Sequence, residues 1–241
     1  MSEKTKQADN QASGSNLSAN NKKCRAALIS LYDLENNATR LMAAVLRNAG
    51  YYAAEIYFKD WKNNSFSPPT EEELSNLVKI LKDNDINLVA FSLRASAYLK
   101  AATQLTEYVR KEIKAPIMWG GTHVILCPED SIQIADMICI GEGEASLLEL
   151  AERISQKLPF DDVSNLWVRS EDGTITKNPL QNLIMDLDGL PFRDYTSPDK
   201  YQIMGNHIIQ GDPMIHDPIF QIITSRGCPY HCSYCYNSTL R

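Results

Sequence analysis

No apolar run in the 241-residue chain approaches the roughly 18 residues needed to cross a bilayer, so a membrane-spanning helix is not expected. The N-terminal stretch MSEKTKQADNQASGSNLSANNKK lacks the apolar core of a secretory signal, and a cytoplasmic location is the expectation. A basic excess is missing too. Lys and Arg number 24 against 30 Asp and Glu, a formal charge of -6, and no basic patch is visible. Nucleic acid and anionic membrane surfaces are therefore not expected as partners. Cysteine is sparse at 6 residues and no signal accompanies it, so the thiols read as reduced or metal-bound rather than as a disulfide framework. Residues 1–23 lack aromatic and nearly all large aliphatic side chains; they cannot bury enough surface to offset ordering entropy and are expected to be a disordered tail.

What remains has the composition of a globular protein, 44% hydrophobic and 22% charged. Its length permits one large domain, or a domain of about 150 residues with extensions. From Arg25 onward, short apolar runs alternate with segments of helical period, the pattern of a βα-repeating domain with a parallel sheet. The first strand is expected at 26–31, followed by a helix with Leu41, Met42, Val45 and Leu46 on one face and Gly50 at its end. The second is expected at 53–58. Its helix follows Pro68 and Pro69, opens with Thr70 and Glu73 at capping-box spacing, and carries Leu74, Leu77, Val78 and Leu81. A third strand at 88–93 precedes a helix at 97–111, and a fourth at 116–119 is broken by Gly120-Gly121. A fifth at 137–140 stops at Gly141-Glu142-Gly143-Glu144 before a helix with Leu147, Leu148, Leu150, Ala151 and Ile154.

The expected fold is α/β: a doubly wound, five-stranded parallel sheet of Rossmann-like or flavodoxin-like kind over 24–157. Residues 166–169 and 174–177 flank Glu171-Asp172-Gly173 and predict a small hairpin. The region 178–218 holds Pro179, Pro191, Pro198, Pro213 and Pro218 with scattered apolar groups, and reads as an irregular linker, so that 158–218 is hairpin and linker. One further strand is predicted at 219–224, opening a last segment over 219–241.

That strand runs into the chemistry-bearing loop. Cys24, Cys127 and Cys139 are scattered among apolar residues, whereas Cys228, Cys232 and Cys235 stand at C-x3-C-x2-C. Three soft thiolates at this spacing suit an iron-sulfur cubane with one iron left open, or a zinc ion completed by His231 or a distant ligand. With Tyr234 as the aromatic residue before the last cysteine, and Ser225-Arg226-Gly227 before the first, the loop resembles the signature of the radical S-adenosylmethionine superfamily. The resemblance implies a 4Fe-4S cluster on Cys228, Cys232 and Cys235, S-adenosylmethionine chelated to the open iron, and Tyr234 against its adenine.

A wider resemblance, from about Arg25 to the end, is to radical S-adenosylmethionine enzymes with an N-terminal cobalamin-binding domain. It rests on Pro116-Ile-Met-Trp-Gly120-Gly121-Thr122-His123, Cys127-Pro128-Glu129, Ala135-Asp136, Gly141-Glu142-Gly143-Glu144 and Asp186-Leu-Asp188-Gly-Leu-Pro191. It implies that the chain is the cofactor-binding N-terminal part of a methyltransferase or cyclase. Cobalamin contacts would fall at Ser92, Gly120, Gly121, Thr122, His123, Gly141, Glu142 and Gly143, where ligands meet the carboxyl ends of parallel strands. Cobalamin mutases place a histidine on cobalt from an Asp-x-His-x-x-Gly loop; here Asp33-Leu34-Glu35-Asn36-Asn37-Ala38 puts Glu35 at that position. Bound cobalamin is thus expected to lack a histidine lower ligand.

Two rival readings stay open on the sequence. One is a non-catalytic α/β module for cobalamin or a nucleotide, with a vestigial cysteine loop and glycines that merely end strands. The other is a zinc-bound interaction protein. A radical enzyme of this kind completes its site in a β/α barrel, of which residues 219–241 supply only the start. The chain is therefore expected to be truncated, inactive alone, without catalytic residues of its own, and dependent on a barrel in the same or another chain. The substrate is not legible.

Overall fold

Parallel strands covered on both faces read as near-continuous apolar runs. In β1 (Arg25–Leu31) and β2 (Tyr52–Phe58) every residue but the first is buried. With β3 (Leu88–Ser92), β4 (Ile117–Gly120) and β5 (Met137–Cys139) they form the parallel order β5-β4-β3-β1-β2 in the computed structural model, which describes residues 23–61, 66–216, 221 and 223–239. This is the expected doubly wound arrangement, with the flavodoxin-like strand order.

Alternation along the strands feeds two cores. Ala27, Ile29 and Leu31 face one side, where Leu77 and Leu81 of α2 (Glu71–Asp83) and Leu105 and Val109 of α3 (Leu99–Glu112) complete the packing. Ala26 and Leu28 face the other, against Ala43 and Leu46 of α1 (Asn37–Asn48) and the helix that follows β5. Local signals fix the helix starts. Thr70 and Glu73 form the anticipated capping box, and Asn36 caps α1 by accepting a hydrogen bond from the Thr39 amide at 2.9 Å. Two short helices not foreseen, α4 (Thr122–Leu126) and α5 (Pro128–Ile134), link β4 to β5. The helix after β5, α6, spans Gly143–Gln156.

The sheet does not stop at these strands; it is 9-stranded, in the order β7-β6-β5-β4-β3-β1-β2-β8-β9. The predicted hairpin forms as β6 (Leu166–Arg169) and β7 (Ile175–Lys177), with β6 antiparallel to β5. The expectation of an irregular 178–218 is corrected: β8 (Lys200–Met204) lies parallel to β2, and β9 (His207–Gln210) turns back along β8. Ile203 of β8 joins the core, and buried charge seals the rest of this addition. Lys200 Nζ lies 2.8 Å from Glu55 Oε1, both side chains fully buried, and 3.2 Å from Asp212 Oδ2. Arg40 on α1 grips Asp212 with both terminal nitrogens, Arg47 reaches Glu55 at 2.7 Å, and the Tyr57 hydroxyl donates to Glu55 at 2.6 Å. A strand held by paired buried charges shows no apolar run to find.

The strand expected at 219–224 lies largely outside the described residues; Gln221, Ile223 and Thr224, which are described, are in no strand. Residues 1–22 of the expected tail also lie outside them. Among the described residues, no helix is long and apolar enough to cross a membrane.

Candidate functional site at the strand ends

At the carboxyl ends of β1, β3, β4 and β5 the chain makes its tightest turns. Ser92 closes β3 directly opposite Gly120 of β4. Asn36, just past β1, donates from Nδ2 to Ser92 Oγ at 3.2 Å while its Oδ1 caps α1, so the amide fixes where the serine hydroxyl stands. Beside it, Asp33 accepts from Arg94 at 3.0 Å and from the Glu35 amide at 3.2 Å. Glu35 itself is exposed and accepts a hydrogen bond from Gln221.

The two glycines at the end of β4 differ in kind. Gly121 has φ +98, and a Cβ there would lie 2.8 Å from the Leu93 carbonyl oxygen, so the turn itself demands glycine. Gly120 has no such constraint. A Cβ at Gly120 would meet nothing nearer than Cys139 Cβ at 3.8 Å, an ordinary contact. The fold does not need a glycine at 120, whose backbone lies opposite Ser92 at the strand end. Gly141 is a packing glycine, because its Cβ would strike the buried Asn165 side chain at 2.8 Å. Gly143 opens α6 beside Met42 Sδ, 3.3 Å from where its Cβ would stand.

Thr122 and His123 open α4. His123 is buried, with Nδ1 2.9 Å from Ser96 Oγ and Nε2 without a hydrogen-bond partner. Burial lowers its pKa from the ordinary 6.5, against a smaller opposing effect of Asp130, and the ring is neutral at pH 7. It is packed beside the turn instead of standing on the rim with Ser92.

Beyond β5, Glu142 Oε2 accepts from the Ile184 amide at 2.6 Å, and Oε1 accepts from Arg226 at 2.7 Å. Arg226 also binds Glu144, whose side chain is buried in the first turn of α6. These bonds bring the residues preceding Cys228 to the end of β5. Between them lies a cavity of about 800 Å³, lined on one side by Gly141, Glu142 and Asn165 and on the other by Leu183, Ser225 and Arg226.

The cysteine loop stands outward from this edge. Cys232 is exposed, Cys228 and Cys235 partly so, and the Tyr234 ring is 92% exposed. Among the described residues, no three Cys, His, Asp or Glu side chains are gathered into a metal-binding group. Cys24 and Cys139 are structural: burial pushes their thiols up to about 12 and about 11. Reading the sequence missed Asn36 as the partner of Ser92 and Glu142 and Glu144 as the partners of Arg226. The first carried a signal, an Asn directly before a helical run; the second, 84 and 82 residues apart in sequence, carried none.

The B12 binding domain family matches residues 27–151. An uncharacterized methyltransferase of Pyrococcus horikoshii, PH0819, is 28% identical over 171 residues, 68% of this chain and 34% of that protein. Cytidylyl-2-hydroxyethylphosphonate methyltransferase of Streptomyces wedmorensis is 22% identical over 227 residues, 80% of this chain and 42% of that protein. The chain thus spans roughly a third to two fifths of the length of these relatives. Among solved structures, the cobalamin-dependent S-adenosylmethionine radical enzyme OxsB with aqua-cobalamin bound superposes with a TM-score of 0.57 at 17% identity, over 72% of this chain and 24% of that one. The radical S-adenosylmethionine methyltransferase TsrM from Kitasatospora setae, with cobalamin and a 4Fe-4S cluster bound, gives 0.53 at 16%, over 73% and 32%. At such identities the likeness is one of fold.

Proposed function

Because the chain belongs to the B12 binding domain family, we propose that it is the cofactor-holding part of a cobalamin-dependent radical S-adenosylmethionine enzyme, a methyltransferase or cyclase. The observation that carries the reading is Gly120: a strand-end glycine with no conformational or packing need, opposite an oriented serine hydroxyl. Bulky planar ligands require this kind of backbone approach, and they lie beyond the carboxyl ends of parallel strands.

In this reading Gly120, Gly121 and Ser92, with Thr122, Gly141, Glu142 and Gly143, would be the residues that hold cobalamin. Asn36 orients the Ser92 hydroxyl. In this reading His123 would not be the cobalt ligand: its ring is buried, and the position of the cobalt-ligating histidine in the mutase loop holds Glu35. Cobalamin supplies a transferable methyl group, and a reduced 4Fe-4S cluster with S-adenosylmethionine supplies a radical that removes a substrate hydrogen. Three thiols at 228, 232 and 235 suit such a cluster as a donor set, and Tyr234 is open to an adenine ring. The remaining duty of the chain's own residues is to orient and to exclude water.

Anaerobic purification and reconstitution test the reading. About four irons and four sulfides per chain, lost when Cys228, Cys232 and Cys235 are all replaced by Ala, are expected together with bound cobalamin. Zinc in place of iron, or iron retained by the triple variant, would overturn the cysteine assignment.

A further inference from the structure

The cysteine loop follows directly on Arg226. Within it, the Cys235 amide donates to the Cys232 carbonyl at 3.1 Å. Gly227 takes a left-handed turn, with φ +77, and a Cβ there would meet nothing within 4 Å. Tyr230 and Tyr234 project into solvent. Just before the loop, the Arg226 side chain is only 29% exposed and bridges two carboxylates of one strand end.

Those carboxylates are themselves fixed. Glu142 is engaged through both oxygens, one by Arg226 and one by the Ile184 amide, and its backbone carbonyl accepts from Asn165 Nδ2 at 2.9 Å. Asn165 Oδ1 in turn accepts from the Gln181 amide at 2.7 Å. Glu144 has a side chain 6% exposed, and the cation it meets is Arg226. Acidic residues in a first helical turn would be expected from the helix dipole alone, but that effect is satisfied at the surface and does not require burial. Burying a carboxylate is unfavourable unless a cation and hydrogen bonds meet it.

We infer that Arg226 is a positioning residue, clamped by Glu142 and Glu144 so that the 228–235 loop is held at a fixed place relative to the strand ends that carry Gly120 and Gly141. The inference rests on the proposed function for its purpose, since it says what the clamp aligns: the cluster site with the corrin site. The clamp itself can be tested without either cofactor. A guanidinium held by two carboxylates is a poor trypsin substrate, because cleavage requires the side chain to leave its partners and the loop to open.

The cofactor-free 241-residue chain is digested with trypsin, and cleavage at Arg226–Gly227 is followed by mass spectrometry, with Arg169–Ser170 at the end of β6 as the internal control. The Glu142→Gln/Glu144→Gln variant should be cut about tenfold faster at Arg226 with the control unchanged. An unchanged rate, or equal acceleration at both bonds, would overturn the clamp. Should that variant fold poorly, Arg226→Lys retains a cleavable cation but loses the two-pronged grip, and should be cut faster than the parent; an equal rate counts against the clamp. Alignment has its own readout. With the cluster reduced and cob(II)alamin bound, pulsed paramagnetic resonance should give one narrow distance distribution in the parent and a broad one in the double variant. The same narrow distribution in both would refute the positioning role. A chain that takes up neither cofactor would sink the proposed function, leaving trypsin to decide on the clamp.

Discussion

Two adjacent glycines, Gly120 at the end of β4 and Gly121 just after it, serve different masters, and single substitutions separate them. Gly121→Ala must place a side chain at φ +98 and 2.8 Å from the Leu93 carbonyl oxygen. We expect it to lower stability by about 1–3 kcal/mol, read from urea unfolding. Gly120→Ala meets only an ordinary contact at 3.8 Å and should change stability by no more than about 0.5 kcal/mol. Equal losses at the two positions would show that Gly120, too, is a folding glycine. The cysteines divide in the same way. Native alkylation should spare Cys24 and Cys139, whose thiols burial raises to about 12 and about 11, and should modify Cys232. The sequence allowed the division of the thiols by spacing alone. It did not distinguish the glycines, because the reason lies in the Leu93 carbonyl and Cys139, neither adjacent in sequence.

At the scale of elements, the β8–β9 hairpin is attached through buried ions beside the apolar contact of Ile203. Replacing one member of the cluster leaves its partners buried and unpaired, so Lys200→Met or Asp212→Asn should cost about 3–5 kcal/mol in chemical unfolding. A cost near zero would mean that apolar packing alone holds the strand. Burial tends to raise the Asp212 carboxyl, yet the hydrogen bonds from Arg40 and the Met214 amide outweigh it and bring the pKa below its ordinary 3.8. The sign follows from linkage: the stability it contributes is present above that ordinary value and lost as pH falls below it through the depressed one. An acid titration of unfolding free energy should show this loss, and Asp212→Asn should flatten it. What was legible at this scale follows the same physics. The capping box at Thr70 and the apolar rows of α2 are written locally and formed as expected. β8 was not legible, because Lys200 and Gln202 interrupt its apolar pattern and its reason for pairing is Glu55, 145 residues away. The short helices α4 and α5 escaped because neither is long enough to display a helical period.

For the whole molecule, the sheet draws sequence-distant segments to one end, where the 33–36, 92–95, 120–123 and 141–143 turns meet and to which Arg226 returns. A chain ending at 157 would strip Asp194, Lys200 and Asp212 from Glu55, Arg40 and Arg47. Such a fragment should unfold at lower urea than the full chain, even though it contains all of 27–151. The central claim, that the strand end carrying Gly120 and Ser92 is a corrin site, is tested most directly by titrating the full chain with hydroxocobalamin, followed by absorbance, beside its Gly120→Val variant. Saturable, equimolar binding is expected in the parent, weakened at least about tenfold by Val at unchanged circular dichroism. A folded parent that does not bind, or a Val variant that binds equally well, would contradict it.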